Sequence, residues 1–250
     1  MAALACSKGR LSEADKVVTQ IEDEVSQGGK NPLPPLPAIS TELIKKGSWT
    51  ELFKKPYLPR LIMVSVLWVC AYLVTYGLLV WLPTIFTRVY NLPVQQALNY
   101  SLFANAAGLV SFLACAFVVD RLGRRLTFGL AFLIGSLPLF TLWLLSGGTA
   151  ENVLYLATVA ILFVTICNGG LYLYTPELFP TRLRAMGASW ATFWLRAASI
   201  VGPYAVGAIL PIYGLSGVFL ACAVVAVIGA VVCFFFAIET SGRVLEEVSP

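Results

Sequence analysis

Arg196 is the residue of this chain that most needs a chemical reason. It stands inside the apolar run 187–210, which carries no other charge. A cation at the centre of a bilayer costs roughly 2.5–3.5 kcal/mol on insertion scales, so one that is kept is expected to work. At ~1.5 Å of rise per residue it lies roughly 15 Å into a ~30 Å hydrocarbon core, near the midplane. A guanidinium offers a planar fork of donors that matches the two oxygens of a carboxylate. The chemistry this points to is recognition of a small anion. The competing readings are an arginine paired with an acid from outside the chain, or one snorkelling into a water-filled cavity.

Other side chains could complete such a site. Trp68, Tyr72 and Tyr76 recur at i, i+4 and i+8, with Tyr172, Trp190 and Trp194 further along. They read either as stacking surfaces for an aromatic acid or as packing and lipid-facing rings. Asn105-Ala106-Ala107-Gly108-Leu109-Val110 parallels Arg196-Ala197-Ala198-Ser199-Ile200-Val201. The two stretches fall in the middle helices of two three-helix units, as an inverted repeat requires, or match because both are alanine-rich. The candidate substrate-binding set is therefore Arg196, Asn105, Tyr72, Tyr76, Trp194 and Tyr172.

Little else could do chemistry. Histidine is absent, and none of the six cysteines forms a C-x-x-C pair. No nucleophile elbow, phosphate-binding glycine loop or paired intramembrane carboxylates occur, so no enzyme, cofactor or metal is expected. Every acidic residue sits in a tail, a loop or a helix end. A carboxylate that titrates during proton-coupled transport is expected outside this chain.

The elements that must position Arg196 follow from composition. Hydrophobic residues make up 58% and charged residues 12%, with a mean hydropathy of +0.82. That is a polytopic protein of the lipid bilayer. Its basic residues lie in loops rather than one patch, which argues against nucleic acid. Six apolar segments, at about 61–86, 98–119, 126–145, 152–174, 187–210 and 214–238, each approach the ~20 residues a crossing needs. Basic loops alternate strictly with loops that carry little or no Lys or Arg, the positive-inside pattern, which predicts both termini in the cytoplasm. The expected organisation is a cytoplasmic loop over 1–59, a bundle over 60–238 and a cytoplasmic tail over 239–250. The loop would hold an amphipathic helix near 11–25 and a proline-rich spacer at 31–37. The first ten residues have no signal-peptide pattern.

Between the second and third segments stands Asp120-Arg121-Leu122-Gly123-Arg124-Arg125. It resembles the D-R-x-G-R-R/K loop of the major facilitator superfamily, with Ala116 where that family has glycine. Pro176-Glu177-Leu178-Phe179-Pro180-Thr181-Arg182-Leu183-Arg184 resembles the elbow between helices ten and eleven. Glu239-Thr240-Ser241-Gly242 is similar to a degraded sugar-porter ending, and Lys8-Gly9-Arg10 with Glu13-Ala14 resembles the start of the central loop. The resemblance implies an all-α integral membrane fold, half of a twelve-helix transporter, with helices seven to twelve present. It implies a gate in which Asp120 accepts from a helix N-terminus while Arg124 and Arg125 pair with acids at helix ends. Arg121, Glu177, Arg182 and Arg184 would join it.

The glutamine-rich pattern of sugar porters is missing from 64–83, and 169–174 lacks their proline and tryptophan. The chain looks more like the organic-ion and aromatic-acid branch, whose anion-transporting members carry an arginine where Arg196 stands. Implied is secondary active transport of a small organic anion, with protons as coupling ion, in the plasma membrane. An N-terminal six-helix half or a second chain would face Arg196. A sugar or polyol porter, and a truncated partner that transports nothing, are the alternatives.

Overall fold

Glycine, proline and charge between the apolar runs decide where each helix stops. The computed structural model describes Ser12, Asp15, Lys16, 18–20 and 47–241. From residue 47 the helices are α1 (Trp49–Leu52), α2 (Tyr57–Arg88), α3 (Val94–Leu122), α4 (Arg124–Leu144), α5 (Ala150–Glu177) and α6 (Arg184–Phe236). Five of them, α2 to α6, are long and apolar enough to cross a membrane. No strand occurs among the described residues. The helices begin and end a few residues beyond most of the expected segments, because polar end residues such as Arg88 and Glu177 still complete helical turns.

The turns have local causes. Asn91, at φ 52°, leads into Pro93, which caps α3. Gly123 alone separates α3 from α4, at φ 83° and ψ 164°. Gly147 and Gly148 also take positive φ. Thr149 then accepts a hydrogen bond from the Asn152 N–H (3.3 Å) to start α5.

As a straight rod, the 53 residues of α6 would span ~80 Å, far more than a ~30 Å hydrocarbon core. The helix is broken at Gly214, whose φ of 67° and ψ of −169° are not helical. Residues 184–213 lie along α2. There the Trp190 indole donates to Ser65 Oγ (2.9 Å) and the Trp81 indole donates to the Pro203 carbonyl (2.8 Å). Residues 215–236 lie along α4, where Gly129 faces Phe234 and Gly229 faces Phe132, with Leu215 near Gly147. The chain thus ends the helix where α4 begins. The expected segments 187–210 and 214–238 correspond to these two arms.

Between α2 and the first arm the backbones nearly touch. A Cβ on Gly202 would stand 2.9 Å from the Leu73 carbonyl oxygen and 3.2 Å from the Gly77 nitrogen. Between α3 and α5, Ser111 Oγ donates to the Leu162 carbonyl (2.7 Å). Trp68, Phe86, Phe128, Phe132, Tyr174 and Phe219 fill the centre. Cys70, Cys115, Cys167, Cys222 and Cys233 are buried free thiols, packing as small hydrophobes.

Residues 47–59, read from sequence as loop, pack on the bundle. Leu52 and Tyr57 are buried, Phe53 meets Trp190 edge-on at 5.3 Å, and Glu51 pairs with Arg182. Near the chain start, the described residues of 12–20 are helical and exposed, with Thr19 Oγ1 donating to the Asp15 carbonyl (2.9 Å). The rest of the expected amphipathic helix, the 31–37 spacer and the tail past residue 241 lie outside the described residues.

Candidate substrate cleft and charged clasp

Residues three and four apart on a helix share a face, and four helices each turn such a stripe toward one cleft. Tyr72, Thr75 and Tyr76 come from α2, Asn105, Gly108 and Phe112 from α3, Thr165, Asn168 and Tyr172 from α5, and Leu195 and Arg196 from α6. The cleft holds about 530 Å³, within the range usual for small-ligand sites. Five of the six candidate binding residues meet there: Arg196, Asn105, Tyr72, Tyr76 and Tyr172.

Trp194 does not. It lies on a separate apolar groove of about 360 Å³ with Phe53, Leu61, Ser65 and Trp190. The cause is helical phase: two residues are ~200° of rotation, so Trp194 and Arg196 leave α6 on opposite faces.

The rings form a ladder from the core into the cleft. Trp68, anchored by its indole N–H on Thr175 Oγ1 (2.9 Å), stacks on Tyr72 at 5.4 Å. Tyr72 stacks on Tyr76 at 6.0 Å, and Tyr172 meets Trp68 edge-on at 4.8 Å. Trp68 is therefore a buried support and Tyr72 a largely buried lining residue, while Tyr76 and Tyr172 present more surface. Arg196 is exposed. Among the described residues its guanidinium makes no ion pair and no hydrogen bond; only its carbonyl is engaged, accepting from Ser199. Asn105 donates to the Ser101 carbonyl (2.8 Å) and leaves its amide oxygen available.

Thr75, Thr165 and Asn168 also line the cleft. The sequence reading names none of the three as a binding residue. The available signal was spacing: Thr165, Asn168 and Tyr172 stand at i, i+3 and i+7, a polar stripe on an otherwise apolar helix.

The charges gather where α4 begins. Arg124 donates from Nη1 to Asp120 (2.9 Å), and from Nη2 and Nε to the two oxygens of Glu177 (3.0 and 3.2 Å). Arg184 Nε donates to the Pro176 carbonyl (3.1 Å) on the adjoining elbow. Two expectations change here. Asp120 does not cap a helix; that place is taken by Glu239, which accepts from the backbone N–H groups of Arg124 (2.9 Å) and Arg125 (3.1 Å). The Arg125 side chain donates to the Phe234 carbonyl rather than to an acid. Arg182 pairs with Glu51, and Arg121 is exposed with no ion pair among the described residues.

Comparison with known proteins names the fold. The profile of the family described as "Sugar (and other) transporter" matches residues 4–250. The chain belongs to that family, part of the major facilitator superfamily. The niacin transporter NiaP of Acinetobacter baylyi is 28% identical over 249 residues, covering 97% of this chain and 54% of that protein. The inner membrane metabolite transport protein YdjE of Escherichia coli is 28% identical over 97% of this chain and 54% of its own length. The synaptic vesicle 2-related protein of Rattus norvegicus is 34% identical over 55% of this chain and 24% of its own length. The chain spans about half the length of the bacterial relatives it matches. It is a multi-pass integral membrane protein of a transporter family, not of an enzyme family.

In this facilitator half, Glu239 makes the clasp sensitive to acid. Burial by itself would raise its carboxyl pKa. The N–H groups of Ser241, Arg124, Arg125 and Thr240 outweigh that and hold it below the usual glutamate range. Glu239's contribution is thus at full strength above pH about 4.3 and is lost as pH falls through its lower folded value. Glu239→Gln is expected to lower the melting temperature at pH 7 and to remove most of the extra loss seen in wild type on acidification toward pH 3. A thermal-unfolding series over pH for both proteins checks this.

Proposed function

We propose that this chain forms one half of a secondary active transporter for a small organic anion, an aromatic or other monocarboxylate, driven by protons across a plasma membrane. The observation that carries the reading is Arg196, a cation without an acidic partner among the described residues, facing an aromatic-walled cleft of ligand size. Its fork matches a carboxylate, and Tyr72, Tyr76 and Tyr172 offer ring faces beside it. NiaP is named a niacin transporter, and niacin is an aromatic carboxylate, which favours the same class of ligand. The missing wall of the cleft belongs to an N-terminal six-helix half or to a second chain. Alternating access is then rocking of one half against the other.

In this reading the bundle crosses the membrane six times, with the break at Gly214 dividing α6 into two crossings and both termini in the cytoplasm. Support comes from the alternation of basic loops and from the two arms packing on different helices. A cysteine introduced at Ser146 should be labelled from outside intact cells and one at Arg121 only after permeabilisation.

The ligand class is tested by uptake of labelled benzoate into proteoliposomes holding the complete two-half protein. Unlabelled benzoate should compete, while methyl benzoate and glucose should not. An inside-alkaline gradient should speed uptake. A hexose reading has one observation behind it, the amides Asn105 and Asn168 in the cleft. Competition by glucose equal to that by benzoate would establish it and remove the anion reading.

A further inference from the structure

We infer that the α5 wall of the cleft is built to accept a hydrogen bond from the ligand, so that the transported anion carries an N–H or O–H donor away from its carboxylate. The inference rests on the anion reading above and adds a second recognition point. Two buried cleft side chains carry polar atoms with no hydrogen-bond partner among the described residues, Thr165 Oγ1 and Asn168 Oδ1. Thr165 is 5% exposed and Asn168 3%. Buried polar groups are nearly always paired, and leaving one unpaired is costly.

The Asn168 amide is fixed in direction. Thr75 Oγ1 donates its proton to the Ala71 carbonyl (2.8 Å). It can then only accept, and it does so from Asn168 Nδ2 (3.0 Å). The nitrogen end of the amide is thereby tied to α2, and the oxygen end is the one left over. An amide oxygen is an acceptor only. Thr165 sits three residues earlier on the same face of α5, and threonine hydroxyls inside helices usually bond back one turn, as Thr75, Thr158 and Thr175 do here. Thr165 has no such bond, so its hydroxyl is available both to give and to take.

These acceptors lie on α5, whereas Arg196 lies on α6. The cleft therefore reads two separated groups: an anionic end at Arg196, and a donor at Asn168 and Thr165. A phenolic hydroxyl, a ring N–H or an amino group on an aromatic acid supplies that donor. A site with buried acceptors binds the analogue that lacks the donor more weakly, because the acceptors are then stripped of water without replacement.

The test measures binding of benzoate and of the three hydroxybenzoate isomers to the complete two-half protein. At least one isomer should bind tenfold or more tighter than benzoate. In Asn168→Leu and in Thr165→Val that ratio should fall toward one. Thr165→Val is the decisive variant, since the hydroxyl it removes has no partner among the described residues and its loss breaks no bond to them. Thr165→Ser should keep the ratio. If benzoate and all three isomers bind wild type equally, or if the ratio survives in Thr165→Val, the donor requirement is wrong while the anion reading stands. If neither benzoate nor any isomer binds wild type, both fall.

Discussion

Arg196→Ala, in the complete two-half transporter, should weaken benzoate binding about a hundredfold, because it removes two charge-assisted hydrogen bonds together. Uptake at low substrate should drop with it. Arg196→Lys keeps the charge but not the planar fork and should fall between, about tenfold below wild type. The protein should otherwise fold normally, since the guanidinium holds nothing together among the described residues. Binding measured alongside thermal unfolding separates the two effects. Wild-type affinity in the alanine variant would remove Arg196 from the site. A loss of folded protein without specific loss of affinity would show an arginine paired with the other half.

The second large effect is expected at Gly202. A leucine there must displace the Leu73 carbonyl and the Gly77 nitrogen, both backbone atoms that cannot swing aside. In membranes, helices pair through such small-residue contacts, where van der Waals fit replaces the hydrophobic drive. Overpacking of this kind costs about 3 kcal/mol. Separating α2 from α6 would also move Tyr72 and Tyr76 away from Arg196, since the same two helices carry them. Gly202→Leu should therefore lose both folded yield and ligand binding, and Gly202→Ala should do so more mildly. Thermal unfolding in detergent gives the measurement, and a melting temperature within about 2 °C of wild type, the shift expected for no more than about 1 kcal/mol in a chain of this size, would contradict the packing argument.

Much of the fold could be read because the membrane imposes it. Apolar runs of spanning length, interrupted by Gly, Pro and charge, leave few choices, and the helices fall where those runs are. The break at Gly214 falls at the boundary between the expected segments 187–210 and 214–238, whereas the packing of 47–59 on the bundle was hidden. Part of the cleft was equally open to reading. Arg196 stood out by its cost, and Tyr72 and Tyr76 by their repeat. Trp194, named as a further aromatic candidate, is turned by helical phase onto a separate groove. Thr165 and Asn168 were hard to see because small polar residues in a helix usually satisfy themselves on the preceding turn; their unmet bonds appear only when neighbours are in place. Glu239 was hidden for a related reason. It acts on the backbone N–H groups of Arg124 and Arg125, more than a hundred residues away in sequence, and backbone donors leave no side-chain signature to match.

The clasp and the cleft divide the charged residues into two kinds. Arg124 is spoken for by Asp120 and Glu177, and Glu239 by the start of α4. Such residues fix the ends of helices and say little about what is carried. Arg196 has no ion-pair partner among the described residues, and in the proposed reading the ligand's identity turns on it.

The central claim is most directly tested by a structure of the complete two-half transporter with benzoate bound. The account predicts the carboxylate against Arg196 with two nitrogen–oxygen distances near 2.8 Å, and the ring against Tyr72, Tyr76 or Tyr172. Arg196 paired instead with a carboxylate of the other half, with the ligand bound elsewhere, would contradict it.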